Sequence, residues 1–340
     1  MSLGEQLRSD VDVVVFTMSA AVSVAVDQGF RTEYLRSREY SGLSVSEWNS
    51  LLAQRLEHLI GAYDPAMILF DGTHPYLGLC RVLDRHDKIA SIWQRRGMWQ
   101  EGLGDEAIVR SRHFDVVVEP GDYAAAADRG LTASATGRIE RIPPMRYGPP
   151  PLPRAEARAA LGLDPDRPAA LVQLGAGQIN DVGSMTSKVC ARLLAEGSST
   201  VVLAASVLSN AVDPDDDRVQ VVQRFPISTF LDAFDYGFFA SGYNSFHEAL
   251  SLSLPAVFVP NVHTKLDDQA ARSRYAADQG LALSWDGVTD AELDSVVGQI
   301  TSVEIRERMR DRMAALPDAD GAAAAADVVR RLVFDRVGAP

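Results

Sequence analysis

Short apolar runs alternate with helix-period patterns from one end of this chain to the other, and few folds accommodate that rhythm. The runs at 11–17, 66–70, 88–93, 114–119, 169–174, 200–205, 236–240 and 256–259 are rich in apolar residues, and those at 66–70 and 256–259 are apolar without a break. A strand buried on both faces reads this way, whereas a half-exposed strand alternates. Weaker strand signals fall at 30–35, 219–222 and 281–284. Helical patterns lie between them, at 19–27, 45–61, 76–84, 154–161, 182–196, 228–234, 289–300, 302–315 and 321–336. The longest early one, 45–61, has Ser44 at its N-cap and Trp48, Leu51, Leu52, Leu56 and Leu59 as its apolar stripe. Strands that alternate with helices form parallel sheets through right-handed crossovers. The expected class is therefore α/β.

A chain of 340 residues is too long for one ordinary domain. Six prolines crowd residues 143–153, and such a segment cannot enter a helix or sheet interior. It is expected to be a semi-rigid linker between two Rossmann-like domains, 1–142 and 154–318. The residues after 318 read as a C-terminal helix long enough to pack back on the first domain. In such folds ligands sit beyond the C-terminal ends of the strands.

The net charge is −13, most of it in the second half. No nucleic-acid partner is expected, because binding its phosphates needs a basic face. A small anion held by backbone groups is not excluded. The two cysteines, Cys80 and Cys190, lack metal-ligand spacing and read as buried thiols of a cytoplasmic protein. The N-terminus is polar and unlike a signal peptide. No apolar stretch reaches the roughly 18 residues that a membrane span needs, so at most peripheral membrane contact is expected.

Two strand-to-helix turns carry the candidate chemistry. The first holds Gly175 and Gly177, whose missing side chains let backbone approach a ligand, and it opens a helix whose N-terminus attracts phosphate. Gly-rich turns also occur without ligands. The second holds Ser241, Gly242, Asn244 and Ser245, with Glu248 one helical turn on. A carboxylate there can accept two hydrogen bonds from a ribose diol, or can serve as a capping group near the helix start. Asp268 and Gln269 begin the next helix, where they suit sugar hydroxyls or a simple helix start. The acidic run 213–217 reads as a solvated turn, and no metal is expected.

In order, these residues read Ser-Gly, five residues, Glu248, five residues, Leu254-Pro255, two residues, Phe258-Val259-Pro260, two residues, His263, four residues, Asp268-Gln269. This order resembles the donor-binding half of GT-B glycosyltransferases. The likeness is greatest to family 28 and its MurG-like UDP-N-acetylglucosaminyltransferases, and it covers about 165–285. It implies a hexosyltransferase that uses a UDP-sugar as substrate and needs no cofactor. By the same resemblance, the Ser-Gly turn holds the diphosphate, Glu248 the ribose and Asp268-Gln269 the donor sugar. Backbone near Phe225 meets uracil. The spacing from His263 to Asp268 is one residue longer than the family's. The family's opening strand and His-bearing Gly loop have no counterpart, so the first domain is expected to lack its first βα unit.

Retaining GT-B enzymes carry a second Glu eight residues after the first, but Ala256 stands there, so inversion is expected. The base that deprotonates the acceptor should come from the first domain. Asp71 and His74 follow a strand end, and a His titrates near neutrality. Arg95 and Arg96 are placed to meet an acceptor phosphate, and Trp99 to stack on a sugar. An exposed basic loop over core tryptophans is the plainer reading. The acceptor itself, a small molecule or a lipid-linked one, is not legible. A UDP-sugar 2-epimerase of the same fold and a non-catalytic nucleotide-sugar-binding protein are the alternatives.

Overall fold

The computed structural model describes residues 1–175, 182–205 and 216–337. The chain divides into two compact units. The first holds Met1–Gly121, Arg129–Pro144 and the chain from Asp320 on, and the second holds Asp122–Asp128 and Met145–Ala319.

The first unit contains two parallel sheets. Strands β1 (Val14–Thr17) and β2 (Arg31–Tyr34) pair with each other, Val14 opposite Arg31. Strands β3 (Met67–Asp71), β4 (Ala90–Gln94), β5 (Val116–Pro120) and β6 (Ile139–Ile142) form the second sheet in chain order. β4 and β5 are buried throughout, while β1 and β3 are only half-buried. That gradient is what an edge position gives an otherwise apolar strand. Continuous apolarity in β1 and β3 therefore does not place them inside a larger sheet.

The helix Val45–Tyr63 starts where the sequence places it. The Ser44 side chain accepts from the Glu47 amide, and the Glu47 carboxylate reaches back to the Ser44 amide, a capping box. Trp48, Leu52, Leu56 and Leu59 are buried as expected, but Leu51 is 39 % exposed and lies off the stripe. Leu51 sits between the faces defined by i, i+4 spacing from Trp48 and Leu52. The helix Leu77–Leu83 packs close to it at Gly78, where any Cβ would lie 2.4 Å from the Asn49 carbonyl oxygen. The Asn49 side chain closes the contact by accepting the Gly78 amide at 2.7 Å.

In the second unit six parallel strands run in the order β12-β11-β10-β7-β8-β9. They are β7 (Ala169–Gln173), β8 (Thr200–Ala204), β9 (Gln220–Val222), β10 (Tyr236–Ala240), β11 (Ala256–Val259) and β12 (Leu283–Ser284). The chain winds outward from β7 through β8 and β9. It then returns to the other side of β7 with β10, whose Tyr236 lies opposite Ala170. The winding reverses between β7 and β10, and a parallel sheet opens a crevice at such a point, outside the strand C-termini. Phe238, Phe239, Phe246 and Phe258 are fully buried around these strands. Each contributes about 1.5–3 kcal/mol by leaving water. The proline-rich segment is tied to this unit: the Leu152 amide donates to the Thr229 carbonyl, and the Ser228 hydroxyl to the Tyr147 carbonyl.

Candidate functional site

The turn after β10 lies at this switch point. Gly242 is the N-cap of the nine-residue helix Tyr243–Ser251, and the Phe246 amide makes the first intrahelical bond, to the Gly242 carbonyl. Amides earlier in the first turn have no helical acceptor and project, with the positive end of the helix dipole, beyond the strand end. Such a terminus is built to receive an anion. Asn244 is exposed and Ser245 half-buried on this turn. Ser241, just before the cap, turns its side chain inward. Its hydroxyl is fully buried and donates to the Gln269 carbonyl at 3.0 Å, so only its backbone is offered to a ligand.

Gln269 lies over the same turn. Its Oε1 accepts the Asn261 amide at 3.0 Å, and its Nε2 sits 3.5 Å from where a Cβ on Gly242 would be. A glycine at 242 therefore leaves the amide group in contact with the turn. Asp268 caps the helix Gln269–Asp278, its Oδ1 accepting the Ala271 amide at 2.9 Å. His263 stands on an exposed loop with its amide bonded to Asn261 Oδ1.

Glu248 is a buried acid on this helix. It is only 9 % exposed, and burial pushes its carboxyl up to about 7, opposed only by the charge of Arg146. Among the described residues no donor bonds to this carboxylate. A buried acid without a donor is costly, and a ligand that supplies donors lowers the cost. Arg146 itself donates to the carbonyls of Gly148 and Pro149, which fixes its guanidinium beside the site. Sequence reasoning missed Arg146, because it lies in the proline-rich segment read as a linker. The signal was a single cation among prolines. Phe225, 44 % exposed, stacks with Tyr147 at 5.4 Å between ring centroids.

On the β7 side, Gly175 adopts φ 107° with open space where a Cβ would go, so the constraint there is conformational. Gly177 lies outside the described residues, as do 213–215 of the acidic run. Asp216 is held down to about 2 by its side-chain bond to Arg218. Among the described residues no His, Cys, Asp and Glu groups cluster as metal ligands.

In the first unit, Asp71 and His74 line one cavity of about 420 Å³ at the C-terminal ends of β1 and β3. Phe16, Thr17, Phe70 and Tyr76 complete most of its wall. Burial, and then the Arg110 charge, hold the His74 imidazole below its usual range, which keeps it neutral. Asp71 lies 3.8 Å from Arg96, and both are partly exposed.

Arg95 and Trp99 are each only 1 % exposed, so Arg95 departs from both sequence readings while Trp99 fits the plainer one, a core tryptophan. The Arg95 amide continues the β4–β5 pairing by donating to the Val118 carbonyl, and its Nη2 meets Glu119 at 2.6 Å. Its guanidinium lies near the rings of both Trp93 and Trp99. Neither side chain faces solvent where an acceptor would arrive. Among the described residues, no helix is long and apolar enough to cross a membrane.

No protein-family model matches the chain. A transferase from Nocardioides sp. is 33 % identical over 186 residues, which is 52 % of this chain and 47 % of the relative. It is named UDP-N-acetylglucosamine--N-acetylmuramyl-(pentapeptide) pyrophosphoryl-undecaprenol N-acetylglucosamine transferase. The protein of the same name from Clavibacter sepedonicus is 30 % identical over 193 residues, covering 55 % of this chain and 52 % of its own. The chain thus spans about half the length of the curated relatives it matches. Among solved structures, the calicheamicin glycosyltransferase CalG4 superposes with a TM-score of 0.64 at 16 % identity, over 99 % of this chain and 95 % of that one. The spinosyn rhamnosyltransferase SpnG, complexed with thymidine diphosphate, gives 0.64 at 16 % identity, over 97 % and 94 %. These likenesses show the fold, that of GT-B glycosyltransferases.

Proposed function

We propose that this chain is a glycosyltransferase that takes a hexose or N-acetylhexosamine from a UDP-sugar. The observation that carries the reading is Glu248. A nine-tenths buried carboxylate without a donor, one turn into a helix whose N-terminus opens at the switch point, suits a ribose diol beside a diphosphate. The first-turn amides and Arg146 receive the diphosphate oxygens. The Phe225–Tyr147 pair offers a flat apolar face to the base, and Gln269 and Asp268 reach the sugar hydroxyls. The chain's similarity to named N-acetylglucosamine transferases supports the donor class.

Transfer proceeds with inversion. The acceptor hydroxyl oxygen attacks the anomeric carbon while the bond to the diphosphate oxygen breaks. The electron pair leaves with the diphosphate, whose growing charge is met by the helix terminus and Arg146 rather than by a metal. The acceptor proton passes to His74, which burial keeps unprotonated, and Asp71 completes the polar wall of that cavity. The acceptor is a small molecule or a lipid-linked one, and the protein works in the cytoplasm.

Two measurements test this. Calorimetry with UDP, followed by product analysis over a panel of UDP-sugars, should show binding and donor turnover; absence of UDP binding sinks the reading. His74→Ala should lower kcat by about 100-fold with donor KM little changed, the size expected for a general base. The sign of the pH dependence follows from its lowered pKa. His74 is deprotonated down to below pH 6.5, so the acid limb of kcat lies below that value. A full transfer rate in the alanine variant removes His74 as the base.

A further inference from the structure

Directly beneath the diphosphate turn lies a fully buried cation, Arg272, from the first turn of the helix Gln269–Asp278. Its Nη1 donates to the Ser241 carbonyl at 2.8 Å and meets Asp267 Oδ1 at 2.8 Å. Its Nε donates to Asp122 Oδ2 at 3.0 Å, and Asp122 in turn accepts the Ala124 amide at 2.9 Å. An arginine taken wholly out of water costs several kcal/mol before its partners offset that cost, and apolar packing would fill the volume more cheaply. The bonds it makes indicate what the charge accomplishes.

The Ser241 carbonyl and the Gly242 amide belong to one planar peptide group. A guanidinium on the carbonyl fixes the plane of that group and polarises it, which makes the amide at its other end a stronger donor. Gly242 has no Cβ to restrict its backbone, so a turn of this composition needs an external hold. Arg272 supplies it on the carbonyl side, while the Ser241 hydroxyl anchors the same residue to the Gln269 carbonyl. The same cation clamps Asp267, the residue before Asp268 and Gln269.

We propose that Arg272 is a positioning residue for the donor diphosphate: it orients and polarises the Ser241–Gly242 peptide and sets the start of the Asp268-Gln269 helix, without touching the ligand itself. This rests on the donor reading given above. The prediction separates phosphate recognition from nucleoside recognition, because the held peptide faces the phosphates.

The test uses three probes, UDP, inorganic pyrophosphate and uridine, titrated calorimetrically into the full chain and its Arg272→Met and Arg272→Lys variants. Thermal unfolding of each variant serves as a check on folding. Arg272→Met is expected to bind UDP and pyrophosphate about 10- to 100-fold more weakly, because the Ser241–Gly242 peptide is no longer held and polarised, with uridine affinity within about threefold of the parent. Arg272→Lys keeps the charge but loses the rigid fork, and should fall between the two. If Arg272→Met does not fold, the lysine variant decides by the same comparison. Equal losses for UDP and uridine in a folded variant reduce Arg272 to a packing role and overturn the proposal, as does unchanged UDP affinity. A parent chain that binds none of the three probes overturns the donor reading and this proposal with it. Binding of UDP by the parent with no selective loss in the variants overturns only the role of Arg272.

Discussion

Glu248→Gln is expected to raise the melting temperature at pH 8 and to weaken UDP binding in the same variant. The carboxyl is raised from 4.5 to about 7 by burial. The folded state therefore holds the proton more tightly than the unfolded chain does. Below pH 4.5 the group is protonated in both states and burial of its charge costs nothing. As pH rises from 4.5 through about 7 the unfolded chain releases the proton first, and folding stability falls. A displacement of this size corresponds to about 3 kcal/mol at pH 8, at 1.36 kcal/mol for each pH unit. Glutamine resembles the protonated acid and avoids the loss. The variant should thus match the parent near pH 4 and exceed it by up to about 3 kcal/mol at pH 8, or roughly 2–4 °C for each kcal/mol in a unit of this size. UDP affinity should drop about 10- to 100-fold, because an amide accepts from the diol without charge. For the parent, UDP binding should strengthen from pH 6 to pH 8 as the carboxylate forms. Thermal unfolding at both pH values and titration with UDP check the pair of effects. A gap in melting temperature that does not grow with pH defeats the burial argument, and unchanged UDP affinity defeats the ribose assignment. Both effects, found together, mark Glu248 as a residue kept at a cost in stability for the sake of ligand binding.

The parts of the molecule that were legible in the sequence are those determined locally. Strands such as Tyr236–Ala240 announce themselves by continuous apolarity, and the helix Arg154–Leu161 by the glycine that ends it in a left-handed turn. The short helix Ser2–Leu7 was not legible. Its apolar face is only Leu3 and Leu7, and the surface that buries it belongs to the helix Gly321–Val337, at the far end of the chain. Strand β6 was missed for a related reason: half its residues are charged, and only its register with β5 makes it a strand. The site divides in the same way. Gly242 and Glu248 are set by spacing along one helix and can be read directly. The proposed roles of Arg146 and Arg272 depend on what they face, and those partners are remote in sequence. Ser241 was placed correctly as part of a turn, but its hydroxyl faces inward toward a helix start that spacing does not locate.

Arg95 shows the opposite error, and its removal carries the second large effect. Two adjacent arginines between tryptophans look like an exposed loop, yet Arg95 is buried against Glu119 while Arg96 is partly exposed near Asp71. Arg95 gives two bonds to one Glu119 oxygen, and Arg141 takes the other at 3.2 Å. Arg95→Ala therefore leaves a buried carboxylate with a single, more exposed partner, and it opens a void between the Trp93 and Trp99 rings. Breaking one side of a buried pair costs about 3–5 kcal/mol. Arg96→Ala, at a side chain 38 % exposed, should change stability by less than about 0.5 kcal/mol. Replacing both partners, Arg95→Met with Glu119→Gln, should recover much of the loss, since no uncompensated charge remains. Urea unfolding of the three variants, read on tryptophan fluorescence, tests the set. A cost for Arg95→Ala as small as that for Arg96→Ala would show that the pair is not buried as described. It would also return Arg95 to the list of groups able to meet an acceptor phosphate. A large cost with no recovery in the double variant would place the loss in the tryptophan packing instead of the charge.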